Sequence, residues 1–228
     1  MLNLLDGLTT AHLADGCVRL DIDPRCARLT ALVPGSRIAG RVLPARHAGS
    51  VDVFLEAFEL AEPGDVLVAD NGGRTDEACI GDLVGLEAQR CGLGGIVIWG
   101  CHRDSAELRE IGIPVFSLGS NPCGPLTVHD RDADAFVSAR VGEWTASSTD
   151  VIVGDGDGII VLPSAKLAKI VETARKIKNT EIEHARLMRD GRSFRTQVRF
   201  GEFLEHRREN PSFTFRRHLR GEAGSIEE

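Results

Sequence analysis

The chain has 228 residues, 42% of them hydrophobic and 27% charged, with a formal net charge of −7. That is enough for one domain with a proper core, or one domain with an appended tail. The acidic balance offers no attraction to nucleic acid or an anionic membrane, and no apolar run approaches the roughly 20 residues that span a bilayer. Met1 to Leu5 is too short an apolar stretch for a signal peptide, so a cytoplasmic location is expected.

Residues 4–14 carry the first helical signal, interrupted by Thr9 and Thr10, and a segment rich in Arg, Pro and Gly follows from 21 to 46. Residues 51–60 have apolar side chains at helical spacing and stop at Glu62-Pro63-Gly64. Residues 65–70 (DVLVAD) form a β-branched run that Asn71-Gly72-Gly73 is expected to end. Residues 81–91 predict a helix closed by Gly92, and residues 95–99 (GIVIW) a buried strand. A short helix over 105–111, ended by Gly112, leads to a third strand over 113–118. This order predicts an α/β fold with a parallel βαβαβ core and right-handed crossovers.

Residues 151–153 and 159–162 flank Gly154-Asp155-Gly156-Asp157-Gly158 as a hairpin. Ser164 is expected to cap a long helix that reaches about Arg189 and ends at Gly191. The chain thus divides into a core over 1–163 and a C-terminal helix plus tail over 164–228. The tail is basic, then acidic, and carries Phe194, Phe200, Phe203, Phe213 and Phe215, which implies packing on the core or on a neighbouring subunit. The six cysteines (17, 26, 79, 91, 101 and 123) are scattered with no CxxC pair and predict reduced, mostly buried thiols.

In open parallel sheets, ligands sit beyond the carboxyl ends of the strands. Two segments leave neighbouring strands at that edge: the loop leading into Gly81-Asp82-Leu83-Val84, and Gly100-Cys101-His102-Arg103-Asp104. Asp82, Arg103 and Asp104 are therefore expected to meet. The free N–H groups of a first helical turn suit a carboxylate. Arg103 offers forked donors to an oxyanion, and the two aspartates are hard oxygen ligands for Mg2+ or Mn2+. Such a set would hold a 2-oxo acid at both ends and stabilise the enolate of a retro-aldol cleavage or a decarboxylation. The same residues read equally well as an N-cap at Asp104 and a solvated charge at Arg103. Residues 65–125 contain no lysine, which argues against a Schiff-base aldolase.

The stretch PGDVLVADNGGRTDEACIGDLV, followed by GLGGIVIWGCHRDSAELREIGIPVFSLGSNPCGP, resembles the RraA-like family. That family includes 4-hydroxy-4-methyl-2-oxoglutarate and 4-carboxy-4-hydroxy-2-oxoadipate aldolases, and regulators of ribonuclease E activity. The likeness continues more loosely through VIVGDGDGIIVLP and the long helix. Its aldolases resemble one another in an Asp, twenty intervening residues, then Arg-Asp; here these are Asp82, residues 83–102, and Arg103-Asp104.

The resemblance implies a swivelling β/β/α domain in a homotrimer or homohexamer, with sites between subunits. It implies Asp104 as metal ligand, Asp82 holding metal-bound water, Arg103 on the pyruvyl ketone oxygen, and the backbone of Gly81, Leu83 and Val84 around the carboxylate. The function it implies is a divalent-metal (class II, pyruvate-type) aldolase cleaving a 4-hydroxy-2-oxo diacid, with oxaloacetate decarboxylation through the same enolate and a metal-linked water as base. The alternatives are a non-catalytic regulator of an RNA-processing protein, and a metal-dependent lyase or hydrolase of another oxo acid.

On the long helix, the apolar stripe runs Leu167, Ile170, Ala174, Ile177, then Ala185 and Met188, and Glu181 falls on it. The family's aldolases resemble this in taking an acidic residue from a neighbouring subunit's C-terminal helix. Glu181 is the first candidate and Glu183 the second, while a helix end turning to solvent near Asn179 explains the position slightly better. His47 reads as a surface histidine that could meet a distal carboxylate, and His102 as a residue pointing away from the site. Asp155 and Asp157 read as turn residues, and residues 215–220 as too short a basic stretch for nucleic acid.

Overall fold

Thr9 opens the first helix rather than breaking it. Its hydroxyl accepts from His12 N at 3.3 Å and the His12 ring accepts from Thr9 N at 3.1 Å, a reciprocal cap that starts α1 (Thr10–Arg19). The computed structural model describes residues 2–219, so residues 220–228 of the expected tail, Arg220 included, lie outside the described residues.

After α1 come β1 (Arg25–Ala27), β2 (Thr30–Ala31) and β3 (Ile38–Arg46), then α2 (Asp52–Glu59) and β4 (Val66–Ile80). Next are α3 (Asp82–Arg90), β5 (Gly95–His102), α4 (Ser105–Ile111), β6 (Val115–Ser117) and β7 (Gly119–Ser120). A ribbon of β8 (Ser138–Val141) and β9 (Trp144–Ser147) follows, then the hairpin β10 (Asp150–Asp155) and β11 (Gly158–Pro163). The chain ends in α5 (Leu167–Arg189), α6 (Phe194–Gln197), α7 (Phe200–Glu209) and α8 (Phe215–Leu219).

The main sheet runs β1-β11-β10-β3-β4-β5-β6-β2, with β7 beside β5. Strands β3 to β6 are mutually parallel, so the parallel core has one strand more than the sequence pattern showed. The extra strand, β3, was hidden by Gly40, Arg41, Pro44 and Arg46. Arg41 is matched by Asp65, whose carboxylate it holds through Nε at 3.0 Å and Nη2 at 2.7 Å. Pro44 lies beyond the residues paired with β10, so its missing N–H leaves no ladder bond unmade on that side.

Alternation sorts the side chains. Ala39, Leu43, Ala45, Leu67, Ala69, Ile96 and Ile98 face all the helices that cover the sheet, α2 to α4 over the parallel half and α1 with α5 over the antiparallel half. Ile38, Val42, Val66, Val68 and Val97 face the other way, onto Ala139, Val141 and Ala146 of the β8–β9 ribbon. Ribbon, sheet and helices give the β/β/α layering. Fully burying each of the Val, Leu and Ile side chains among them contributes about 1.5–3 kcal/mol.

Two expectations about α5 change. Ser164 opens a 3-10 turn, and α5 itself starts at Leu167. Its buried stripe stops at Ile177, with Ala185 half-buried and Met188 exposed. The tail builds a small aromatic cluster of its own, in which Phe203 meets Phe200 at 5.4 Å and Phe215 at 5.0 Å.

Candidate active site

One rung of the sheet brings the site together. β4 does not end at Asn71-Gly72-Gly73. It passes through three register shifts, with Gly72 and Gly73 at φ 66° and 72°, and pairs again until Ile80 lies opposite His102. Glycine is required at both positions by the left-handed backbone, and at Gly73 a Cβ would also press on the Trp99 ring. Because Ile80 faces His102, the next residues of both strands emerge side by side. Arg103 N donates to Ile80 O at 2.9 Å, which places Arg103-Asp104 against the start of α3.

Asp104 occupies the N-cap position of α4 but does not cap it: no side-chain cap bond forms, and its backbone is left-handed (φ 55°, ψ 46°). Its carboxylate turns to α3 instead. Oδ2 accepts from Asp82 N at 3.4 Å and lies 3.4 Å from Arg103 Nε. A non-glycine residue in that conformation carries strain of about 1–3 kcal/mol, held here by the surrounding structure. Asp104 therefore does not cap α4 through its side chain, while Arg103 remains half exposed. Gly81 precedes α3, and a Cβ there would collide with Asp104 Oδ2.

A cleft of about 210 Å³ opens at this point, lined by Gly81, Asp82, Leu83, Val84 and Arg103 together with His47. That is the scale of a small acid, below the roughly 300 Å³ at which drug-sized pockets begin. A larger hollow, about 580 Å³, lies on the tail helices around Arg195 and Arg199, away from these residues. The Leu83 N–H, expected to be free for a carboxylate, donates to Asp82 Oδ1 at 2.8 Å. Asp82 thus covers its own helix start, and a bound carboxylate takes that place only when the side chain turns away.

Asp82 and Asp104 are the acidic side chains gathered at the start of α3 with Arg103, and as hard oxygen donors they could hold a divalent cation. Mg2+ and Mn2+ are commonly held by one or two carboxylates with retained water and substrate oxygens. Among the described residues, no group of three or more His, Cys, Asp or Glu side chains closes into an all-protein cage.

Glu181 does not join this group within the chain. Its Oε2 lies 3.0 Å from His12 Nε2, across the α1–α5 contact, and this pair accounts for a carboxylate at that point of the stripe. Glu183 is exposed and paired with Arg186 at 2.8 Å. His102 is buried between Ser117 Oγ at 2.8 Å and Ser105 Oγ at 2.9 Å, away from the cleft as expected. Burial, reinforced by Arg109, lowers its pKa. Asp155 accepts from both N and Oγ1 of Thr10 at 2.7 Å, a structural role at the start of α1.

His47 is not a surface residue. It is half-buried and stacked on Phe54 at 5.3 Å, and its Nδ1 lies 2.9 Å from Asn71 Oδ1. Burial lowers its pKa, so the ring is neutral near pH 7. It also lines a second cavity of about 220 Å³, walled by Asn71, Arg74, Glu77 and His129. Sequence reasoning missed these residues. In the pattern TDEAC, Glu77 looks like a solvated carboxylate, yet it is 2% exposed.

A mixed α/β protein with acid, arginine and acid at the carboxyl ends of adjacent parallel strands is the class that this fold and site define. The chain belongs to the RraA-like family, whose model, described as Aldolase/RraA, matches residues 10–161. It is 36% identical over 155 residues to a Laribacter hongkongensis protein provisionally named 4-hydroxy-4-methyl-2-oxoglutarate aldolase, covering 61% of this chain and 91% of that one. An Aromatoleum aromaticum protein with the same provisional name is 32% identical over 128 residues, covering 56% and 79%. Among solved structures, an uncharacterized protein from Pseudomonas syringae superposes with a TM-score of 0.74 at 27% identity, covering 84% and 93%. Streptomyces coelicolor RraAS2, described as an unusual member of the RNase ES inhibitor RraA family, gives 0.70 at 28% identity, covering 81% and 94%.

Proposed function

We propose that this chain is a divalent-metal-dependent lyase that cleaves a 4-hydroxy-2-oxo acid to pyruvate and a second carbonyl compound. The observation that carries this reading is the meeting of Asp82, Arg103 and Asp104 at the start of α3, where Asp82 and Arg103 line one small cleft and Asp104 Oδ2 sits behind them against Asp82 N and Arg103 Nε.

The substrate carboxylate docks on the N–H groups of Leu83 and Val84, with the helix dipole behind them. Arg103, at the cleft wall, donates to the 2-oxo oxygen, where negative charge grows as the C3–C4 bond breaks. Asp82 and Asp104 would hold the cation, which supplies a Lewis acid to the 2-oxo group. Once its side chain has turned off the Leu83 N–H to admit the substrate carboxylate, the Asp82 carboxylate would hold the water that takes the C4 hydroxyl proton. The electron pair of C3–C4 passes into the enolate, and protonation at C3 completes pyruvate. Oxaloacetate loses CO2 through the same enolate, so decarboxylation is expected as a side activity.

The names of the aldolase relatives support the lyase reading. The RraAS2 likeness supports a second one, in which the same scaffold binds an RNA-processing protein. Pyruvate release from oxaloacetate, abolished by a chelator and restored by Mg2+ or Mn2+, tests the first. A chain that releases none with either ion, and that exchanges no pyruvate methyl hydrogens in D2O, is not this lyase.

A further inference from the structure

The second cavity carries two unsatisfied groups of opposite kind. Asn71 and Glu77 are 6% and 2% exposed. Asn71 Oδ1 is engaged by His47 at 2.9 Å, and Glu77 Oε1 by Arg74 Nη1 at 3.1 Å. Asn71 Nδ2 and Glu77 Oε2 have no hydrogen-bond partner among the described residues. A buried donor and a buried acceptor left unpaired are each costly, and such atoms persist where something else completes them. Both side chains line the cavity, which shares His47 and Gly49 with the cleft as lining residues. Whatever fills it would therefore lie beside a substrate in the cleft.

A group that completes both must give one hydrogen and accept another. A hydroxyl does this. A methyl group does neither, and a carboxylate only accepts. The charges point the same way. Arg74 is spent on Asp76, through Nε at 3.0 Å and Nη2 at 2.9 Å, and on Glu77. With the His47 ring uncharged, this wall carries Arg74 and Glu77, paired with each other, and the His129 ring, which lies 3.1 Å from Thr127 Oγ1. A carboxylate placed there would face Glu77, and the fixed cation of the wall, Arg74, is already paired.

We infer that this cavity holds the part of the substrate beyond C4, and that it selects a hydroxyl on C5, between Glu77 Oε2 and Asn71 Nδ2. The inference rests on the lyase reading above and names its substrate class: 4,5-dihydroxy-2-oxo acids, released as pyruvate and a hydroxyaldehyde. The balance is that of any retro-aldol step. C3–C4 breaks, C4 keeps its oxygen and loses the hydroxyl proton to become the aldehyde carbon, and C3 gains a proton.

The reverse reaction gives the cleanest test. Purified full-length chain with Mg2+ is offered pyruvate and one of three aldehydes: glycolaldehyde, its near-isostere propionaldehyde, or the carboxylate-bearing glyoxylate. Glycolaldehyde is expected to exceed both others by about tenfold or more in kcat/KM, because a site built to hydrogen-bond a hydroxyl rejects analogues lacking it. Glu77→Gln turns the free acceptor into a donor and releases Arg74, so the glycolaldehyde-to-glyoxylate ratio should fall by about tenfold or more. Asn71→Ala should lower the glycolaldehyde-to-propionaldehyde ratio. Each ratio is internal to one protein, so partial loss of folding cancels, and the wild-type ranking stands even if a variant does not fold. Equal use of the three aldehydes by wild type, or ratios unmoved in both variants, would mean that the pair serves an internal water, and would overturn the inference alone. Failure to exchange pyruvate methyl hydrogens would sink the lyase reading and this one together.

Discussion

Gly81→Ala is a sharp probe of the proposed site because the atoms nearest the added methyl group belong to the Arg103-Asp104 pair. The Gly81 backbone (φ −131°, ψ −159°) is extended, so an alanine costs no backbone strain there. The added Cβ meets Asp104 Oδ2 inside contact distance and sits 3.1 Å from Arg103 Cγ. Asp104 is a short side chain, 35% exposed, so it can swing aside; its carboxylate must move by on the order of 1 Å to clear the methyl group. Stability should shift by no more than about 1 kcal/mol, since restricting the unfolded chain partly offsets the crowding. A displacement of that size at a reacting group costs about 100-fold in rate, or about 2.7 kcal/mol of transition-state stabilisation. The assay pairs steady-state pyruvate release from oxaloacetate with a urea unfolding curve on the same preparation. Full turnover at unchanged stability would show that the Asp104 carboxylate is not needed where the structure puts it, and the mechanism would lose its first cation ligand.

Arg103→Ala should lower kcat by about 10²–10³-fold with an unchanged unfolding midpoint, and Arg103→Lys should recover only part of it, because an ammonium lacks the fork; near-normal turnover in the alanine variant would refute the oxyanion role. His102 and His47 have folded-state pKa values below the ordinary imidazole value, so protonation favours the unfolded chain: their neutral forms cost nothing above about pH 6.5, and stability is lost as pH falls from there toward the lowered folded values. Urea midpoints between pH 7.5 and 5 should therefore decline less steeply in His102→Gln than in wild type, and parallel slopes would contradict the burial argument. Glu181→Gln should cost about 1 kcal/mol or less, as expected of a partly exposed pair with His12, and leave turnover within about twofold; a large loss of turnover would instead place Glu181 in a neighbouring subunit's site.

The two halves of this site differ in how far they could be read from the residues. The run from β4 to β6 was legible because each element announces its end: Gly92 and Gly112 sit at positive φ just past α3 and α4, and the strands between are unbroken apolar stretches. Once two parallel neighbours are known, their carboxyl ends must adjoin, so the meeting of Asp82 with Arg103 and Asp104 follows without coordinates. What could not be read is the path. Asn71-Gly72-Gly73 has the composition of a turn, and here the same left-handed glycines make bulges that let β4 run on to the rung at His102. The second cavity was illegible for a different reason. Glu77 is buried by chain that lies more than forty residues away: Cys123 O accepts from Ala78 N at 2.7 Å, Asn121 Nδ2 donates to Thr75 O at 2.9 Å, and His129 N reaches Ala48 O at 2.8 Å. Local pattern assigns a carboxylate to solvent, and only a loop folding over it reverses that assignment. The meeting of Asp82, Arg103 and Asp104 is thus set by strand order, whereas the second cavity, which the proposal assigns to the second fragment, is set by a loop. Loops can change without disturbing the sheet, so substrate choice among relatives of this chain should follow residues 121–129 and their partners in β4 more closely than the Asp82, Arg103 and Asp104 set.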